Sequence, residues 1–562
     1  MVLILLFLLI IPIFSPVHAF DLTRPNNKFG IHLAQPHLNE LKKVAEMVNG
    51  NGGDWGYITL VMQEDDRNHQ KWQEIFDLLR ENHLIPIIRL ATKPEGDSWK
   101  RPDKEDAESW ANFLENLNWV VRNRYIVLFN EPNHGSEWGN TVDTDNYANT
   151  AKNFAEKLKA KSPDFFIMLA GLDASAPSSM PVMLDEETFL TNTIQKITVP
   201  DFEKLFDGLS SHSYPNPAFS GSPWDYGRRS IHGYQWELDL LKQLGVNKKL
   251  SVFITETGWS ADRLSRQTIS SYFQQAFQEW NNDDRIIAVT PFVYDYQGEP
   301  FLNFSWKMFQ TDDFYQQYYT VKDMQKQKGN PEIIDVGEIN VSLPKQLVVQ
   351  SNYHFIVTLK NLGQTIWDKD FGYELQVKSD KSNTFNVIFS DIKSIKPNQE
   401  ATIDLYLKTN SNTGLIPINI QLLKNKEIIT KTLETTIEIV PLPSLVFRID
   451  LYPKLNTTGD DFEIQVFDDK EGLIFKKTGM HVKDGTGTLN EIQNIIPGKK
   501  YRVVILKPYY LPRQKVLSFK RGENLIKFKR MFPLDLNSDG KFEWQDLGEV
   551  FTHPDLISLF FP

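Results

Sequence analysis

The chain of 562 residues contains no cysteine. Disulfides, thiolate catalysis, zinc–thiolate sites and iron–sulfur clusters are therefore excluded. It has no basic excess: Lys and Arg total 61 against 72 Asp and Glu, a net charge of -11. A polyphosphate partner wants a basic face, so nucleic acid is not an expected ligand. Beyond the N-terminus there is no second long apolar run, no low-complexity tract and no strong internal repeat. What is present is globular in texture, with 41% hydrophobic and 24% charged residues. At roughly 150 residues per domain, the length calls for several domains or one large domain with smaller modules.

The first residues are the exception. Val2 to Phe14 is almost wholly apolar and is followed by Ser15-Pro16-Val17-His18-Ala19. Small residues at Val17 and Ala19 fit a signal-peptide cleavage pattern, so residues 1–19 are expected to be removed and the protein to be secreted or held at the cell surface. The run falls short of the ~20 residues of a membrane span.

From about residue 20 to 330, short apolar runs alternate with amphipathic helical stretches. The strand candidates are 29–32, 57–61, 85–90, 125–129, 166–170, 206–210, 250–254 and 286–290. Buried parallel strands separated by helices imply an α/β fold. Eight such units in about 300 residues match a (β/α)8 TIM barrel. After residue 330 the period changes to two, as in Tyr353-His354-Phe355-Ile356-Val357-Thr358-Leu359. The expectation is a β-sandwich over 331–443, a short Pro441-Leu442-Pro443 linker, and a second β-rich module over 444–532.

Barrel chemistry gathers just past the C-terminal ends of the strands. The fourth strand runs into Asn130-Glu131-Pro132-Asn133-His134, and the seventh into Thr255-Glu256-Thr257-Gly258-Trp259. Two carboxyls on opposing strands can cleave a glycosidic bond. One protonates the leaving oxygen and the other stabilises the cationic centre, with retention of configuration when they lie about 5–5.5 Å apart.

These two segments resemble the retaining TIM-barrel glycosidases, a clan of β-glucanases, mannanases, β-xylosidases and β-glucosidases. The resemblance covers about residues 27–330. It implies that Glu131 is the acid/base, Glu256 the nucleophile and Asn130 the partner of a sugar hydroxyl. Ser211-His212-Ser213-Tyr214-Pro215, after strand six, also resembles the clan. It implies His212 in the sugar subsite and Tyr214 hydrogen-bonded to the nucleophile. Arg89, His32 and Trp306 match further clan positions, Arg89 as a guanidinium that keeps the nucleophile ionised. Trp138, Trp224 and Trp259 also fall in βα loops, where an indole can stack on a sugar. The implied substrate is a β-linked poly- or oligosaccharide, and catalysis itself needs no cofactor. A barrel of the same architecture without turnover, serving as a carbohydrate-binding or adhesion protein, is the alternative. The pair Glu131/Glu256 argues against it.

The segment from Asp535 to Asp546 has the oxygen pattern of an EF-hand loop. Asp535, Asn537 and Asp539 stand at positions one, three and five, Gly540 at the turn, the Lys541 carbonyl at seven and Asp546 at twelve. It resembles half of a dockerin, which implies Ca2+ over residues 533–562 and a cohesin-type partner.

Overall fold

The computed structural model describes residues 25–36, 38–379, 385–454 and 456–561. The signal-peptide reading lies outside the described residues. Two compact units divide at Ile334/Asp335.

The first unit holds an eight-stranded, all-parallel sheet in sequential order. We label its strands β1 (Gly30–Leu33), β2 (Gly56–Gln63), β3 (Leu84–Ala91), β4 (Arg124–Leu128), β5 (Phe165–Leu169), β6 (Gly208–His212), β7 (Ser251–Glu256) and β8 (Ile286–Val289). A parallel bridge from Phe29 to Val289 joins the two ends. The Val289 N–H donates to the Lys28 carbonyl at 2.9 Å, and the His32 N–H to that of Pro291 at 3.0 Å. The sheet is thus a closed barrel, as the alternating runs predict.

The strands are buried along almost their whole length, which explains why they read as continuous apolar runs. The interior is packed: Tyr125 of β4 meets Phe166 of β5 and Phe253 of β7 at centroid distances of 5.2 and 5.1 Å. Helices clothe the outside by ordinary amphipathic logic. In the helix His69–Glu81, Asn68 caps the first turn by accepting from the Lys71 N–H, and Trp72, Ile75, Phe76 and Leu79 form the buried stripe.

Among the described residues the second unit is all-β apart from a 3-10 turn at Lys369–Phe371 and short helical pieces near its end. One half pairs Gly337–Val341, Asn352–Asn361, Glu400–Thr409 and Phe385–Phe389 in a sheet, with a second sheet built on Leu433–Val440 and Gly414–Lys424. The other half is a four-stranded sheet centred on Gly459–Phe467 and a three-stranded one centred on Ser444–Arg448. One apolar cluster runs through both halves, from Leu347 and Ile437 to Leu445, Val466 and Ile505.

Candidate active site

Strand β4 ends in strained backbone. Phe129 has φ 73° and Glu131 φ 30°, both in the left-handed region that side-chain-bearing residues avoid. Packing holds them there. The Phe129 ring sits 5.4 Å from Trp138 and 5.2 Å from Phe154, while the Glu131 N–H donates to the Gly171 carbonyl at 3.2 Å. The Tyr147 hydroxyl donates to the Leu128 carbonyl and accepts from the Ala170 N–H at 2.8 Å, tying β4 to β5. Asn130 and Glu131 are consequently turned into the barrel mouth.

From the opposite side, β7 delivers Glu256. Its carboxylate is ion-paired with Arg89 of β3 and accepts from the Tyr214 hydroxyl at 3.0 Å. The same Arg89 nitrogen donates to Asn130 Oδ1 at 2.8 Å, so one guanidinium orients both the acid and the amide. His212 lies between the two glutamates, with Nδ1 2.8 Å from Glu131 Oε1 and 3.9 Å from Glu256 Oε2. Single ligand-type atoms of Glu131, His212 and Glu256 all fall within 4.8 Å of one another. His32 Nε2 is 3.6 Å from Glu256.

These contacts set the charges. Burial pushes the Glu256 carboxyl up, but His212 and Arg89 outweigh it and hold it down at about 2. Burial also opposes a charge on His212, yet Glu256 and Glu131 together keep its pKa above the usual imidazole value. His32 is pushed down to about 3 by burial and then by Arg89, so it stays neutral. Burial, reinforced by Glu256, raises the Tyr214 hydroxyl well above 10, and it remains a donor.

Arg89, Asn130, Glu131, Tyr214 and Glu256 line one cavity of ≈ 610 Å³ at the mouth. His32 and, again, Arg89 line a neighbouring one of ≈ 560 Å³. Trp306 stands apart from this group. It is 1% exposed and packs 4.8 Å from Phe273 in the core. The segment after β8 presents other aromatics to the site: Phe292 and Phe301 line both cavities, and Phe292 lies 5.2 Å from His32. Trp259 is buried with its indole N–H on the Gly221 carbonyl at 2.8 Å. Trp138 lines the larger cavity but is buried, its N–H given to Asn146, and Trp224 lies exposed at the surface.

Several lining residues are not read from the sequence, among them Glu137, Trp99 and Asp173. Glu137 hydrogen-bonds Asn130 and is pushed up to about 7 by burial and then by Glu131. Trp99 stands on a small hairpin after β3, Pro94–Glu95 paired with Ser98–Trp99. Asp173 holds His134 at 2.8 Å. The available signal was position: each follows a barrel strand whose neighbours already carried site residues.

In the C-terminal loop, Asp535 and Asp546 are buried, and both accept backbone N–H groups of the loop: Asp535 from Gly540 at 3.1 Å, Asp546 from Glu543 at 2.6 Å. Asn537 and Asp539 are exposed and bond each other, and the Lys541 N–H donates to Asp539 at 2.9 Å. One helix, Trp544–Thr552, follows.

No family model and no curated protein matches the chain. Solved structures show faint likeness. One is a family 39 glycoside hydrolase from the gut symbiont Bacteroides cellulosilyticus WH2, at 13% identity over 68% of this chain and 81% of that one, TM-score 0.38. A GH128 endo-beta-1,3-glucanase from Pseudomonas viridiflava is 12% identical over 53% of this chain and 98% of its own, TM-score 0.35. A GH5_18 protein from Streptomyces cattleya, in complex with GlcNAc, is 13% identical over 58% and 84%, TM-score 0.38. The barrel is established by its own strand pairing, and the chemistry has to be argued from the site.

Proposed function

We propose that the protein is a retaining glycoside hydrolase acting on β-linked poly- or oligosaccharides outside the cell. The observation that carries this is a pair of facing glutamates, one of which is tied to a guanidinium and a tyrosine hydroxyl. Glu256 is held ionised by Arg89 and hydrogen-bonded by Tyr214, as a nucleophile requires, while Glu131 approaches from the opposite strand. Single oxygens of the two carboxylates come within 4.8 Å of each other, close enough for both groups to act on one glycosidic bond.

In this reading a Glu256 oxygen attacks the anomeric carbon as the bond to the leaving oxygen breaks, and Glu131 gives that oxygen its proton. Glu131 then takes a proton from water. The hydroxide oxygen bonds the anomeric carbon and releases Glu256. Asn130, fixed by Arg89, meets a sugar hydroxyl whose contact tightens in the transition state.

Replacing Glu256→Ala should lower turnover of an aryl β-glycoside by roughly a thousandfold or more. Added azide should restore part of it and yield the α-glycosyl azide. Near-normal turnover without azide would remove Glu256 from the nucleophile role.

We also propose that the Asp535–Asp546 loop takes Ca2+. The donors are all oxygens, as a hard cation prefers. The Asp535 carboxyl is raised by burial first and by Asp539 and Asp546 after it, a repulsion that a divalent cation would relieve. Asp535, Asn537, Asp539, the Lys541 carbonyl and Asp546 would hold it. Calorimetric titration of the full chain with CaCl2 should show binding that Asp535→Ala and Asp546→Ala abolish; heat unaltered by both substitutions would remove the assignment.

A further inference from the structure

The mouth of the barrel is not a single pocket. The cavity holding Glu131 and Glu256 covers the sector from β3 round to β8, and a second chamber covers β8, β1, β2 and β3. Both are lined by Val61 and Arg89, by Trp99 and by Phe292 and Phe301. The two chambers therefore meet at a waist bounded by the β2 and β3 ends, the Trp99 hairpin and the segment after β8. Each alone, at ≈ 610 and ≈ 560 Å³, has the size of a complete small-molecule site, for which about 300–1,000 Å³ is usual. A single sugar ring needs far less than both.

Each chamber also reaches solvent. Phe219 and Arg263 are exposed at the rim of the first, and Gln35 and Gln297 at the rim of the second. The order of the strands round the barrel puts these rims on neighbouring sectors, the first after β6 and β7 and the second after β8 and β1.

The chemistry assigns the sides. The acid/base must face the leaving oxygen, so the departing part of the substrate lies in the Glu131 sector, with Glu137, His134 and Asp173. The second chamber, on the β1, β2 and β8 side of Glu256, then takes the glycone as it continues beyond the attacked ring. Its lining suits uncharged sugars. Gln35 and Gln63 offer amides that both donate and accept, the pattern hydroxyls need. Trp99 and Tyr296 add aromatic surface. Arg89 is committed to Glu256, and Asp295 faces Lys307 at 3.6 Å. His32 is neutral, being pushed down to about 3 by its burial. Among the described residues lining the chamber, no uncommitted cation is left to match a uronate or sulfate.

We infer that the protein cuts internal bonds of a β-glycan chain, with several neutral glycone sugars held in the second chamber. The inference rests on the hydrolase reading above and adds the mode of action and the charge class of the glycone.

The full chain should be given cellohexaose, laminarihexaose, mannohexaose and xylohexaose, with the matching 4-nitrophenyl β-monoglycosides beside them. The expected result is internal cleavage of one hexaose, with shorter oligosaccharides as the first products. The double variant Gln35→Ala/Gln63→Ala should lower kcat/KM on that hexaose by roughly tenfold more than on the aryl glycoside. Stepwise release of monosaccharide alone, or equal losses on long and short substrates, overturns the inference while leaving hydrolysis intact. If no hexaose and no aryl glycoside is cleaved, the hydrolase reading falls and this inference falls with it.

Discussion

The side chain between Glu131 and Glu256 is a histidine whose place depends on a glycine. His212 lies flat against the end of β5, and a Cβ on Gly171 would stand 2.2 Å from its Cδ2 and 2.7 Å from Nε2. A Cβ so close would have to displace the ring, and with it the Nδ1 contact to Glu131 at 2.8 Å. A displacement on the order of 1 Å at a catalytic group costs about a hundredfold. Gly171→Ala should therefore fold and lose roughly a hundredfold in kcat on an aryl β-glycoside. Its alkaline limb should also shift, because the raised His212 pKa depends on Glu256 and Glu131. A folded variant with unchanged turnover and pH profile would sink this account. Glu131 and Glu256 are legible in the sequence because each follows a strand that apolar residues announce. Arg89, Asn130, His212 and Tyr214 are named through the resemblance of their segments to the glycosidase clan. Glu137 and Trp99 are not: a 3-10 turn and a two-residue hairpin impose no period on their side chains. Trp306 is named through its match to a clan position after strand eight, but here that segment folds back into the core, where Trp306 meets Phe273.

At the scale of elements, all eight barrel strands fall where apolar runs predict them, to within two residues. The largest offset is at β6, read as 206–210 and found at Gly208–His212. Phe206 and Asp207 lead in instead, with the Asp207 carboxylate accepting the Ile167 N–H at 3.0 Å and pairing with Lys159 at 2.6 Å. The offset is functional, since it places His212 in the last position of the strand. Behind β6 lies Glu237 of the helix Gly233–Gln243, buried and hydrogen-bonded to Ser211. Burial, and then Glu186, raises its carboxyl well above 4.5. An acid with a raised folded pKa keeps a proton that the unfolded chain releases. Its effect is to lower stability as pH rises above the unfolded value, by about 1.4 kcal/mol per pH unit until the folded pKa is reached. Glu237→Gln keeps the shape and removes the titration. Denaturant midpoints taken at about pH 5 and about pH 8 should show the variant gaining on the parent at the higher pH. An equal difference at both would show that Glu237 is not held protonated.

For the chain as a whole, the change of period near residue 330 locates the division found at Ile334/Asp335. Within the second unit, the sequence separates 331–443 from 444–532 at a proline-rich link, because local period and turn residues are all that a sequence displays. What it does not display is which apolar faces meet. In the structure the Tyr353 hydroxyl donates to the Ile495 carbonyl at 2.9 Å, and the Asn352 N–H to Asn494 Oδ1 at 2.9 Å. Leu347, Val348, Leu445 and Phe447, all fully buried, belong to one cluster. A shared core makes the two halves a single cooperative unit. Leu445→Ala should cost roughly 2–5 kcal/mol, and the loss should not stay in its own half. Native-state hydrogen exchange on the full chain should show lowered protection in Asn352–Asn361 as well as in Ser444–Arg448. Protection of Asn352–Asn361 left at its parental level would mean that each half unfolds by itself, joined by contacts too weak to couple them.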